Sequence, residues 1–134
     1  MYVQVLLMSV LALGSVVAVK GFPDSIVTFF LKANACVSES GNPSLCKKYV
    51  GCANILPKPV KDFFDNCKNS IYPDGFGSCK DGDSLLKSED KETQFEECFT
   101  KKLSQYETSD PLEGRAEYRF AKCIEKYGHL CLGY

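Results

Sequence analysis

The chain has 134 residues, with 16 Lys or Arg against 17 Asp or Glu and a formal net charge of −1. That length suits one domain, and the interspersed charges offer no basic tract for nucleic acid or an anionic membrane and no acidic tail. Pore-lytic and polyanion-binding functions lose weight for that reason.

The chain opens MYVQVLLMSVLALGSVVAVKG, nearly all apolar from Val5 to Val19, with no charged side chain before Lys20. The run is short of the roughly 20 residues of a membrane span. Ser15-Val16-Val17-Ala18 supplies small residues at cleavage spacing, so residues 1–18 read as a secretory signal peptide and residues 19–134 as one cysteine-rich helical domain. The competing reading is a buried or membrane-anchoring N-terminal helix. The expected location is extracellular, with no membrane span. Asn42-Pro43-Ser44 is spoiled as a glycosylation sequon by its proline.

Pro23-Asp24-Ser25 opens a first helix, on which Ile26, Phe29, Phe30, Ala33 and Cys36 recur at helical spacing. Residues 38–43 form a loop. Ser44 caps a second helix carrying Leu45, Tyr49, Cys52 and Leu56, which Pro57-Lys58-Pro59 stops. A third places Val60, Phe63, Phe64, Cys67 and Ile71 on one face. Residues 72–84, rich in Gly, Asp and Pro, make a long loop pinned by Cys79, and Leu85-Leu86 begins a helical turn. A fourth helix, Glu89 to Tyr106, carries Phe95, Cys98, Phe99, Leu103 and Tyr106 on one stripe. The last has Asp110 as N-cap, Pro111 at the first position and Glu113 completing the box. Its apolar face is Ala116, Phe120, Cys123, Ile124 and Tyr127, and Gly128 is its expected stop. Gly114 inside it is mildly unfavourable. With no alternation of period two, the expected fold is all-α, a compact disulfide-braced bundle of about five helices.

The cysteines are Cys36, Cys46, Cys52, Cys67, Cys79, Cys98, Cys123 and Cys131. An even count in an exported chain reads as four disulfides, and spacing does not choose among roughly a hundred pairings. The closest pairs, Cys46/Cys52 and Cys123/Cys131, lack the Cys-x-x-Cys spacing of structural zinc or of redox motifs. Five cysteines follow an aromatic residue by three places, in YVGC, FDNC, FGSC, FEEC and FAKC. Positions i and i+3 share a helix face, so four of these pairs place ring and cystine in one core layer. The fifth, Phe76 and Cys79, anchors the loop.

No residue set points to catalysis. His129 is the sole histidine, near a helix C-terminus where a cation is favoured, and no Gly-x-Ser-x-Gly occurs. Glu96/Glu97, Asp81/Asp83 and Glu89/Asp90 read as solvated surface. Asp81, Asp83 and Glu92 imitate part of a calcium loop, but Leu86 stands where its turn glycine belongs. A turn followed by an Asp83 or Ser84 cap is the simpler reading. The sequence therefore predicts a non-enzyme with no cofactor and no metal. The rings Phe29, Phe30, Phe63, Phe64, Phe95, Phe99, Phe120 and Tyr127 either fill a core or enclose an apolar cavity between helices. The candidate lining of such a cavity is Phe30, Phe64, Phe95, Phe99 and Phe120.

The run Cys79-Lys80-Asp81-Gly82-Asp83-Ser84-Leu85-Leu86, followed by Glu97-Cys98-Phe99, resembles a segment of the arthropod 27 kDa haemolymph glycoprotein family. Leu45-Cys46-Lys47-Lys48 and Lys122-Cys123-Ile124-Glu125-Lys126 fit the same cysteine-punctuated style. The resemblance implies a secreted helical protein with no catalytic site to carry over, although this chain is short for the family and lacks a sequon. The Cys-x-x-x-Cys signature of insect odorant-binding proteins is absent. Two functions stand open. One is a durable, non-enzymatic component of arthropod haemolymph, saliva or venom, meeting an extracellular protein receptor. The other is a carrier of a small apolar ligand.

Overall fold

The computed structural model describes residues 19–20 and 24–133, so the expected signal peptide at residues 1–18 lies outside the described residues. Five α-helices follow in order: α1 Asp24–Ser38, α2 Pro43–Gly51, α3 Lys58–Ile71, α4 Glu89–Leu103 and α5 Pro111–Leu132. A 3₁₀ turn, Cys52–Ile55, continues α2. The all-α expectation holds, with one addition. A two-residue antiparallel ladder pairs β1 (Val19–Lys20) with β2 (Glu107–Thr108). Two residues are too few to leave a period-two signal.

The helix starts follow local chemistry. Asp110 accepts a hydrogen bond from the Leu112 N–H, and Pro111 fills the first turn of α5 as the sequence predicts. Ser88 caps α4 by accepting from the Lys91 N–H, ahead of Glu89, Asp90 and Glu92 in the first turn. Other boundaries depart from expectation. Asn42, not Ser44, caps α2, because Pro43 supplies the pre-set first position. Pro57 stands at the N-cap of α3 and Pro59 in its first turn, so this Pro-rich step starts a helix as well as ending one. Leu85-Leu86 is a bare turn without a helix, and α4 stops at Leu103 rather than Tyr106.

Gly128 does not stop α5. The helix runs one further turn and closes at Gly133, whose φ of 83° is the left-handed conformation glycine adopts freely. Gly128 instead lets α5 approach α1. A Cβ there would lie 2.7 Å from the Phe29 ring and 3.1 Å from the Ala33 Cβ. Close approach, not termination, requires glycine at this place.

α1 packs chiefly against α5, and α3 against α4, while the 3₁₀ turn bridges towards α5. The core is one contiguous cluster. Val37, Val60, Cys52, Cys67, Cys79, Phe95, Phe99 and Ile124 are essentially sealed from solvent. The segment between α3 and α4 is irregular yet docked. Leu86 N–H donates to the Ser38 hydroxyl, Leu85 N–H to the Ser38 carbonyl, and the Tyr72 hydroxyl to the Leu86 carbonyl. Cys79, Asp81 and Lys87 hold positive φ within it, a costly conformation for residues with a Cβ.

Candidate functional site

The eight cysteines form four bridges, and their order explains the architecture. Cys36–Cys131 joins α1 to the last turn of α5, and Cys52–Cys123 joins the 3₁₀ turn to the middle of α5. Cys67–Cys98 joins α3 to α4. These define two cross-braced halves. Cys46–Cys79 connects them, from α2 to the segment that follows α3. Every α-helix thus carries at least one covalent tie to another element.

The ring–sulfur repeat now has a three-dimensional account. Phe64 and Phe95 each stand three residues before the two ends of one bridge, and their rings meet edge to face at 5.3 Å. Phe76, three before Cys79, lies on the same cluster at 5.6 Å from Phe95 and 4.9 Å from Tyr72. Phe99 continues the cluster to Phe64 at 5.5 Å and to Phe30 at 5.9 Å, and Phe30 reaches Phe120 at 6.3 Å. The aromatic residues form a continuous seam across both braced halves, with the tilted and edge-on geometries that ring quadrupoles favour.

The five residues named as a ligand lining do come together, but on one another. Phe30, Phe64, Phe95 and Phe120 border a partly enclosed space of about 30 Å³, while Phe99 is buried against Phe30, Phe64 and Phe95. Such a volume admits a water or two, against the several hundred Å³ of a small-molecule pocket. Asn34 edges this space and links three helices. It donates to Glu96 Oε2 at 3.1 Å, and the Tyr49 hydroxyl donates to its Oδ1 at 2.6 Å. Burial, then Glu96, raises the Tyr49 phenol well above its usual range. Glu96 itself is raised by burial, against the Asn34 hydrogen bond.

The acidic positions weighed for calcium are otherwise engaged. Asp83 accepts from the Ser78 N–H and hydroxyl and pairs with Lys87 at 2.9 Å, which lowers its carboxyl pKa. It therefore closes a loop, and with Leu85-Leu86 a bare turn there is no helix start at this point for Asp83 or Ser84 to cap. Among the described residues no group of three His, Cys, Asp or Glu is placed to hold a metal. His129 lies in the last turn of α5, edge-on to Phe29 at 5.2 Å. Glu117 on α5 is buried, and its Oε1 has no hydrogen-bond partner. Burial, followed by repulsion from Glu113 one turn earlier, pushes its carboxyl up to about 7.

Among the described residues, two open grooves of several hundred Å³ lie on the surface. One, of about 370 Å³, runs between the start of α2 and Phe76 to Ser78. The other, of about 320 Å³, lies between Leu45 and Lys48 on α2 and Tyr127 and Leu130 on α5. Beside the second lies the feature that the interspersed linear charge concealed. Arg115, Arg119, Lys122 and Lys126 share the exposed side of α5 with the solvent-exposed Leu112, Tyr118 and Leu130. Their spacing of four, three and four residues is the signal that could have revealed them. No described helix is long and apolar enough to cross a membrane.

A family model, Hi1a-like, described by U10-hexatoxin-Hi1a, matches residues 24–132. The match runs from the first residue of α1 to the last of α5 and takes in all eight cysteines. It falls on a different family from the haemolymph glycoproteins that the cysteine-punctuated segments resemble. No curated protein and no solved structure matches the chain.

Proposed function

The chain belongs to the Hi1a-like family, and from that premise we propose that it is a secreted, venom-type protein of an arthropod gland, non-enzymatic, acting by binding an extracellular protein. The observation that carries this reading is the extent of the match, which spans the whole braced bundle and every cysteine. Four disulfides on a small domain suit a molecule that must keep its shape after dilution into a proteolytic fluid. Removal of residues 1–18 as a signal peptide belongs to the same proposal. A haemolymph or salivary role would draw on the same durability, and the hexatoxin description of the family favours venom over both. The carrier reading gains no support from the space of about 30 Å³ that these rings border.

Two measurements test the proposal. Mass spectrometry of the gland secretion should find the chain fully oxidised and trimmed near Ala18. The purified oxidised domain, given to an insect, should produce a dose-dependent effect that reduction abolishes. Recovery only from inside cells with free thiols, or an inert oxidised domain, would overturn it.

A further inference from the structure

We propose that the exposed face of α5 is the docking surface of this protein, and that its occupant is an acidic protein segment bearing an apolar anchor residue. This deepens the venom-type reading and, as to biological context, rests on it.

At about 100° per residue, Arg115, Tyr118, Arg119, Lys122 and Lys126 fall within an arc of roughly 120° on α5, and no acidic side chain shares that arc. Glu113 and Glu117 turn towards the protein, where Tyr106 donates to Glu113 at 2.6 Å and Glu117 is buried. Glu125 lies at the edge of the arc, 3.8 Å from Lys122. The whole chain is nearly neutral, so four cations on one side of one helix are a local excess produced by the fold. Acidic side chains collect elsewhere, in the first turn of α4.

Three further features mark the arc as more than a solvated helix face. Arg115 and Arg119 are the only arginines in the chain, and they stand one turn apart. Among the described residues neither guanidinium has a carboxylate within 4.0 Å. Between them Tyr118 is 63% exposed, with the Lys122 ammonium 5.5 Å from its ring. Arg and Tyr are the residue types that most often dominate binding energy at interfaces, and a guanidinium grips a carboxylate by two parallel bonds.

Leu112 and Leu130, 68% and 69% exposed, close the two ends. Leu130 also borders the groove of about 320 Å³ with Leu45 and Tyr127, which offers an apolar side chain a seat at one end of the cationic row. A lipid surface fits less well. The helix's own apolar face is spent on the core, and the two exposed leucines lie about 27 Å apart, leaving no continuous apolar stripe to insert.

The test is a titration followed by two-dimensional NMR on the oxidised protein. The probe is a synthetic acetylated nonapeptide, Glu-Asp-Glu-Asp-Glu-Asp-Gly-Leu-Gly amide, whose extended length of about 30 Å matches the row and puts its leucine at one end. Shifts are expected along residues 112–130 and at Leu45, weakening as salt rises. R115E/R119E should weaken binding by at least about tenfold, whereas K32E/K80E, an equal charge reversal on other exposed lysines, should stay within about twofold. Unchanged helical circular dichroism in both variants would establish that the fold is intact. Shifts centred on Lys47 or on Lys101 and Lys102, or none, would overturn the proposal. So would stronger shifts of the same residues with phosphatidylcholine–phosphatidylserine vesicles, which would assign the face to lipid. Concentration-dependent shifts at Glu89 and Asp90 without peptide would assign it to a second copy. An inert protein in the insect assay with a positive titration would instead remove the venom-type reading and leave the surface standing.

Discussion

Removing the Cys36–Cys131 bridge is the most informative perturbation of the scaffold. The bridge closes the longest loop, with a sequence separation of 95, against 31 for Cys67–Cys98. The loop-entropy model gives about 4.7 kcal/mol for the longer loop and about 3.7 kcal/mol for the shorter. Cys36 and Cys131 are both only half-buried, so C36A/C131A leaves little cavity, and its cost falls mainly on the unfolded chain. C67A/C98A differs, because Cys67 is fully buried and its loss adds a packing term. Urea unfolding followed by circular dichroism should show C36A/C131A less stable by about 4–5 kcal/mol, with a steeper denaturant dependence because its unfolded state expands more. The helical spectrum of the native state should be unchanged. A loss below about 1 kcal/mol, or an unaltered slope, would refute the view that this bridge acts by restraining the unfolded chain.

Three other outcomes follow from particular contacts. G77A should cost at least about 2 kcal/mol in the same assay, since a Cβ at this position would overlap the Ser84 carbonyl oxygen and push the docked segment off α1. N34A should cost about 1–2 kcal/mol by removing the donor to Glu96 and leaving the Tyr49 hydroxyl only its longer bond to the Phe30 carbonyl; a neutral result would mean that the three-helix link is dispensable. Glu117 predicts a pH dependence of stability. Its folded value of about 7 lies above the ordinary 4.5, so below 4.5 the folded and unfolded chains both hold the proton. Between 4.5 and about 7 only the folded chain keeps it, and stability falls as pH rises, at no more than about 1.4 kcal/mol per pH unit. E117Q should flatten that slope without erasing it, because Glu92 and Glu96 are raised in the same direction. An identical slope in E117Q would show that Glu117 does not titrate in this window.

The helices and their apolar faces are legible in the sequence, because both arise from neighbours three and four residues apart. Asp110 and Pro111 start α5 through bonds confined to one turn. The rings ahead of Cys52, Cys67, Cys98 and Cys123 sit inward because i and i+3 share a face. Other features depend on groups distant along the chain. Gly128 has the composition of a helix stop, and only the approach of Phe29 from α1 makes it a packing residue. Eight identical thiols carry no local label, so the fold alone chose Cys36–Cys131 over its alternatives by bringing the last turn of α1 against the last turn of α5. The rings named as a ligand lining had the right chemistry, and how much space they leave depends on how four elements interlock. The cationic row on α5 was written in the spacing of Arg115, Arg119, Lys122 and Lys126, but spacing shows only that side chains share a face. Which face meets solvent was settled when α1 and the 3₁₀ turn covered the other side of the helix.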